Sequence, residues 1–372
     1  MTIELPGPKN GWAIPWDSLE AFPWVLPMRE TPQDPIHHQE GDVWTHTRMV
    51  IEALVGMDSW RLLPPQHRDV LFWAAVLHDV AKPFTTTYEG DRIHSKGHTT
   101  KGAIEARRIL WKMGYPFKQR EAVCGLVHNH QKPYFILEGD STRKVIEISC
   151  QCRCDHLALL AEADVRGRTC DDLSTSLESI AYFRMLAEDQ GCLSQPFPFA
   201  SSHSRFVYFR TPGRDPSYEA HDDTRCEVLV MSGLPGAGKD TWIAQNYGGW
   251  PVISLDDLRE EMDIDPGDRR AQGKVAQEAI ERLKKHLRAR ENCIWNATNL
   301  SRDLRSKVLS VLADYHARIF IVYVEAPYEK LMEQNRDRAS AVPEAVIEKL
   351  TRRWQVPDLT EAHSVILVTG EP

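Results

Sequence analysis

The 372-residue chain has no apolar run long enough to cross a bilayer. The longest, around Val70 to Leu77, stops at His78-Asp79, short of the roughly 18 to 20 residues that a span needs, which excludes a membrane protein. Cysteine is scarce. Eight thiols scattered among helix-like segments are too few for a disulfide framework, and they are expected to be reduced. The opening MTIELPGPKN lacks the basic start and apolar stretch of a secretory signal, so a cytoplasmic location is expected. A basic field is also missing: the net charge is −8. It divides into about −5 before Asp223 and about −3 after it. That balance excludes a protein that coats nucleic acid. A nucleic-acid substrate would have to be held by a short stretch or an end.

What is present is ordinary globular material, 42% apolar and 26% charged, with 11 tryptophans. The length suits about two domains, each able to bury its own core. Histidine is the one surplus: of 15, ten precede residue 160.

Residues 1–35 are rich in tryptophan and proline (Pro6, Pro8, Trp12, Pro15, Trp16, Pro23, Trp24, Pro27). They are too apolar for a floating tail and too interrupted by proline for regular structure, so an extended packed arm is expected. Residues 36–191 read as an all-helical domain, because segments such as THTRMVIEALVGM, HRDVLFWAAVLHDVAK and CDHLALLAEADVRG repeat apolar residues at three and four. Residues 192–222 lose that periodicity and gain Pro, Ser and Gly, which predicts a connector. Over 223–372, continuous apolar strands (CEVLVMSG, ENCIWNAT, ARIFIVYVEA) alternate with helices, which predicts a parallel sheet buried on both faces. The fold class is thus multi-domain: an N-terminal helical bundle and a C-terminal α/β domain.

The first of these strands runs into Gly233-Leu-Pro-Gly236-Ala-Gly238-Lys239-Asp240-Thr241, and a helical segment follows. Glycines let backbone N–H groups converge on phosphate oxygens, the helix start adds its dipole, and Lys239 reaches the terminal phosphates. The loop is therefore expected to bind a nucleoside triphosphate such as ATP, with Mg²⁺. Asp240 stands where the usual motif has the metal-binding Ser or Thr, and Thr241 comes one place late. Mg²⁺ is then held either through water or by Asp240. The next strand ends in Ser254-Leu-Asp256-Asp257-Leu-Arg259. A carboxylate there can accept a proton from an attacking hydroxyl, and Arg259 can bind an anion of the acceptor. The competing reading makes one aspartate the cap of a helix and leaves the other for chemistry. Asn335-Arg336-Asp337-Arg338 before a Pro343-initiated helix offers arginines for a lid, or a solvated helix face.

In the helical region, His46, His78-Asp79, Lys82, His98, His128 and Asp164 each fall on a helix or a helix end. Imidazoles and carboxylates from separate helices can converge on metal, and a shared carboxylate lets two cations sit together. Such a pair acidifies water and holds phosphate oxygens, so phosphoester hydrolysis is the expected chemistry. Cys150-Gln-Cys152-Arg-Cys154, followed by His156, has no second ligand pair and reads as core thiols rather than a zinc site.

On these motifs the second domain resembles the P-loop polynucleotide 5′-hydroxyl kinases. The resemblance runs from the loop through Asp256, Asp257 and Arg259, the Ala297-Thr298-Asn299 strand end, and Asn335, Arg338, Val342 and Pro343. It implies Lys239 and Thr241 at the phosphates, Asp256 as general base, Arg259 on the acceptor phosphate and Arg338 as lid arginine. Asn296 departs from the family, which tends to have an acid there. The histidine set resembles the HD-domain phosphohydrolases in their dinuclear form. That resemblance implies His46, His78, Asp79 and Asp164 around one metal, with Asp79 bridging, and His98 and His128 on the second. It places Lys82 at the substrate phosphate, His130 as a substitute for His128, and His38 and Glu40 behind the ligands. Together the two halves resemble bacterial bifunctional end-healing enzymes. The implied activities are removal of 2′,3′-cyclic or terminal 2′- or 3′-phosphates with Mn, Ni or Co, and 5′-OH phosphorylation from an NTP on RNA or DNA ends. A ligase would act downstream. The alternatives are a nucleotide-metabolism enzyme acting on free nucleotides and a non-catalytic NTP-dependent regulator.

Overall fold

The computed structural model describes residues 3–90, 92–170, 173–265, 267–268, 270–337 and 341–370. It divides into two compact units at Pro198/Phe199.

The first unit is a helical bundle built around the helix Pro65–Leu77, in which every residue from Val70 to Leu77 is buried. A helix that is apolar all round must sit at the centre, and this one packs against the helices Val43–Gly56, Phe117–Asn129 and Cys154–Arg166. Val43–Gly56 begins at Asp42, whose carboxylate accepts from the Trp44 and Thr45 N–H groups at 2.9 Å, a side-chain N-cap. The helices His98–Lys112 and Phe117–Asn129 pack on each other, and Ser174–Asp189 covers Cys154–Arg166. One element departs from the all-helical expectation: an exposed antiparallel hairpin, Thr87–Glu89 with Arg92–His94.

The expected extended arm contains short helices, Trp16–Glu20 and Val25–Arg29. Each lasts little more than one turn, but Leu19, Val25 and Met28 sink into the bundle core. Trp12 meets Trp60 edge-on at 5.7 Å and lies under Arg61 and Arg68. The cysteines Cys150 and Cys154 are buried, and no cysteine joins any metal-capable group among the described residues. Burial pushes the Cys152 thiol up to about 12, so it stays protonated.

The second unit is a five-stranded parallel sheet in the order Val252–Ser254, Cys293–Asn296, Cys226–Ser232, Ala317–Val324, Ser364–Val368. The first strand in sequence is central, so the chain reverses direction across the sheet at its carboxyl end, where α/β folds bind ligands. The expected connector 192–222 is corrected by the structure. Residues from Phe199 onward belong to this second unit, and Ser202–Arg210 is a helix. Its Phe206 stacks on His363 at 4.2 Å, and Arg205 donates to the Leu359 and His363 carbonyls at 2.9 and 2.7 Å. These tertiary contacts fix a segment whose own periodicity is weak. Among the described residues, no helix is long and apolar enough to cross a membrane.

Candidate functional site

In the first unit, the central helix ends at Leu77 and delivers His78 and Asp79 into the bundle interior, where both are almost fully buried. His46 and Asp164 arrive from the helices on either side, and His98 starts its own helix. The fourth imidazole is His130, not His128. The two lie at the end of one helix, two residues and about 200° apart; His130 is 1% exposed and faces the cluster, while His128 is only half-buried on another side.

Asp79 divides the group between its two oxygens. Oδ2 lies 3.2 Å from His78 Nε2 and 4.0 Å from His46 Nε2, while Oδ1 lies 3.5 Å from His98 Nε2 and 3.8 Å from His130 Nε2. The Nδ1 atoms of His78, His98 and His130 sit 2.8, 2.7 and 2.8 Å from the carbonyls of Ala75, Ser95 and Val127. Each Nδ1 therefore carries the proton, and each Nε2 presents its lone pair to the centre. Burial, with the neighbouring His98 and His78, pushes His130 down to about 3, and burial also lowers His98. Asp79 is lowered too, which keeps it charged: burial disfavours its charge, but Lys82 and His78 outweigh this and hold it well below the usual carboxylate range. Imidazole lone pairs around one ionised carboxylate are the donor set of a divalent transition ion.

His78 Nε2 and Asp79 Oδ1 are buried without a hydrogen-bond partner. Orphaned lone pairs in a dry site are costly, and a cation on each side of Asp79 would satisfy them. Two His/Asp groups share Asp79, namely His46, His78, Asp79 and Asp79, His98, His130, so the residues fit a metal pair with a bridging carboxylate.

Around these donors lies a second layer. His46 Nε2 is 3.1 Å from Asp164 Oδ1, and its Nδ1 is 2.8 Å from Glu40 Oε1. Burial opposes charging His46, but the bonds to Asp164 and Glu40 raise its pKa overall. Asp164 also accepts from Tyr134 at 2.6 Å and from Arg168 at 2.8 Å. His38 Nδ1 lies 2.8 Å from the same Glu40 oxygen. Lys82 Nζ lies 2.7 Å from Asp79 Oδ2. Nothing in the sequence pattern pointed to Tyr134 or Arg168. An aromatic inside Lys-Pro-Tyr-Phe and an arginine one turn past Asp164 are too common to single out.

In the second unit, the loop after the central strand runs from Gly233 to Gly238, and its helix is Lys239–Tyr247. Gly233 has φ +151°, and a Cβ there would meet the Val324 carbonyl oxygen at 2.2 Å, so only glycine passes between the strands. Gly236 and Gly238 also have positive φ, +81° and +96°, which turns successive N–H groups inward. Lys239 Nζ donates to the Gly233 and Leu234 carbonyls at 3.1 and 3.0 Å. Asp240 and Thr241 are exposed, and Asp240 accepts from Asn296 at 2.6 Å. Asn296 thus orients the carboxylate beside the loop.

The helix after the neighbouring strand is capped by Ser254, whose hydroxyl accepts from Asp257 N at 3.2 Å. Neither aspartate is the cap, which leaves both side chains in the first turn. Asp256 is ion-paired with Arg259, and Arg259 Nε donates to Gln272 at 2.8 Å. Register pairs Ser254 with Asn296 and Val230 with Trp295. The Asp256 turn, Asn296 and the Gly-rich loop therefore share one carboxyl edge. Asn299 serves the structure of this edge, since its buried amide donates to Met231 O at 2.7 Å. Asn335 clasps Val342 through two bonds at 2.7 and 3.0 Å. Arg338 lies outside the described residues.

Two family models match the chain, the HD domain over residues 43–165 and an AAA domain over 228–357. One relative is a bifunctional uridylyltransferase/uridylyl-removing enzyme from Bradyrhizobium diazoefficiens, 30% identical over 31% of this chain and 12% of its own. Another is a CC-adding tRNA nucleotidyltransferase from Thermus thermophilus, 33% identical over 26% of this chain and 21% of its own. The chain thus spans no more than about a quarter of these relatives. A sugar kinase structure from Janibacter sp. HTCC2649 covers 40% of this chain and 87% of its own at 17% identity and TM-score 0.31. The chain thus joins a helical unit that matches the HD-domain model and holds a donor set fit for divalent metal to a parallel α/β unit that matches the AAA-domain model and carries the Gly-rich loop.

Proposed function

We propose that the protein heals broken nucleic-acid ends, hydrolysing a 2′,3′-cyclic phosphate or terminal 2′- or 3′-phosphate in the HD domain and phosphorylating a 5′-OH in the P-loop domain. One observation carries the reading. A single chain holds a buried histidine–carboxylate cluster shared about Asp79 and a P-loop beside the exposed Asp256–Arg259 pair. The first suits removal of a phosphate and the second its transfer, which are complementary reactions at the two ends of one break.

In the HD domain, His46, His78, Asp79 and Asp164 would hold one divalent ion, and His98 and His130 the other with Asp79 between. When bound, the metals supply an acidified water and Lewis-acid contacts to phosphate oxygens. The chain's own part is to keep the imidazoles aimed, to hold Asp79 ionised, and to bring the Lys82 ammonium to the phosphate. Arg168 and Tyr134 fix the Asp164 carboxylate, and Glu40 fixes the His46 ring.

In the P-loop domain, Asp256 accepts the proton of the attacking 5′-hydroxyl, and Arg259 turns to an acceptor phosphate. Loop N–H groups and Lys239 bind the donor phosphates and steady charge in the in-line transition state. Asp240, oriented by Asn296, would hold Mg²⁺ directly or through water. Arg338 is the proposed lid arginine. The tRNA named in the Thermus relative agrees with an RNA end as substrate.

The test incubates the full chain with an oligonucleotide bearing 5′-OH and 2′,3′-cyclic phosphate ends, NTP, Mg²⁺, and in turn Mn²⁺, Ni²⁺ or Co²⁺. Transfer of the γ-phosphate to the 5′ end and loss of the cyclic phosphate are expected. Activity confined to free nucleotides or nucleosides would overturn the proposal.

A further inference from the structure

We propose that Gln33 is a positioning residue of the phosphohydrolase centre, acting through Lys82; this rests on the reading of Lys82 as the group that meets the substrate phosphate. Gln33 lies outside the stretch matched as HD domain, which begins at residue 43. It is nonetheless buried at 6% exposure, and its Oε1 lies 2.5 Å from Lys82 Nζ. An ammonium only donates, so the amide oxygen faces Lys82 and the NH₂ group faces away. That NH₂ donates to the Asp42 carbonyl at 3.4 Å.

The backbone around Gln33 is equally fixed. Gln33 N donates to Gly41 O at 3.1 Å, Val43 N donates to Thr31 O at 3.0 Å, and Pro32 bridges Asp42. Gln33 is therefore stapled to the entry of the helix that carries His46. Through this residue, the end of the tryptophan- and proline-rich arm reaches the centre of the HD domain.

The Lys82 ammonium has three donors in tetrahedral directions. Asp79 Oδ2 takes one at 2.7 Å and Gln33 takes a second, so the third has a single direction left for a phosphate oxygen. Lys82 carries a flexible four-carbon stem. With Asp79 as its one partner, the head group would swing about that bond. Gln33 also does this without charge. A carboxylate in its place would neutralise the ammonium and repel the phosphate.

The experiment measures hydrolysis of a nucleoside 2′,3′-cyclic phosphate with Mn²⁺, and inorganic phosphate binding by calorimetry, for the full chain and its Gln33→Leu, Lys82→Met and double variants. Gln33→Leu should lower kcat/KM roughly 10- to 100-fold. It should weaken phosphate binding, while metal content and unfolding midpoint stay as in the wild type. In the Lys82→Met background, the same change should alter kcat/KM by less than about twofold. Gln33→Glu, with its acceptor kept but a charge added, should raise KM more than it lowers kcat. Wild-type kinetics in Gln33→Leu, equal losses in both backgrounds, or loss of metal would overturn the proposal. A wild-type chain that hydrolyses no phosphoester would overturn the hydrolase reading itself, a separate result.

Discussion

Asp79 is the residue on which the HD site turns, because each of its oxygens serves a different pair of imidazoles. Asp79→Asn keeps the shape but removes the charge that pairs with Lys82 and would hold two cations together. Elemental analysis of the variant should find the metal lost while far-UV circular dichroism keeps its helical signal. Full metal content in Asp79→Asn would place the ions elsewhere. Gly233 is decisive in the other unit. Gly233→Ala drives a Cβ to 2.2 Å from the Val324 carbonyl at φ +151°. The strand must shift, at a cost above about 2 kcal/mol, and urea unfolding should read it together with weaker NTP binding. An unchanged midpoint would mean that the loop yields freely.

At the scale of elements, the histidine helix depends on its cap. Asp42 Oδ1 takes two backbone N–H groups at 2.9 Å and Oδ2 takes the Thr45 hydroxyl at 2.7 Å. Asp42→Ala should cost about 1 kcal/mol in urea unfolding. Asp42→Asn, which keeps an acceptor, should lose much less, and equal losses would deny the capping role. Elements of this kind were legible wherever local chemistry decides them. The strand, Gly-rich loop and helix at 226–247 were readable because glycines at fixed spacing between an apolar run and a helical one mark that turn. The His78-Asp79 pair was readable because an apolar run stopped at two polar residues. His130 was obscured by phase, since His128 and His130 share a helix end and only packing shows which face is inward. Ser254 as the cap was hidden behind the more conspicuous aspartates. The helix 202–210 was missed because Phe206 and Arg205 find their partners about 150 positions later. The contact of Gln33 with Lys82 was hidden for the same reason, since the two lie 49 positions apart in sequence.

For the whole molecule, the proposed function makes the two sites of one chain separate phosphate-centred catalysts. Among the described residues, the histidine cluster draws on residues before Pro198 and the P-loop edge on residues after it. With each group placed in its own unit, single substitutions should divide the chemistry cleanly. Asp256→Ala should abolish 5′-phosphate transfer, by at least about 100-fold for loss of a general base, and leave cyclic-phosphate hydrolysis within about twofold of wild type. Asp79→Ala should do the reverse. Mixed in one tube, the two variants should together process an oligonucleotide with both damaged ends, at a rate near half that of the wild type at equal total protein, since each copy keeps one working site. Residual label transfer in Asp256→Ala would move the base to Asp257, the other carboxylate of that turn. A mixture far slower than half would mean that the two reactions need both working sites in one copy, against the proposal that the sites act separately.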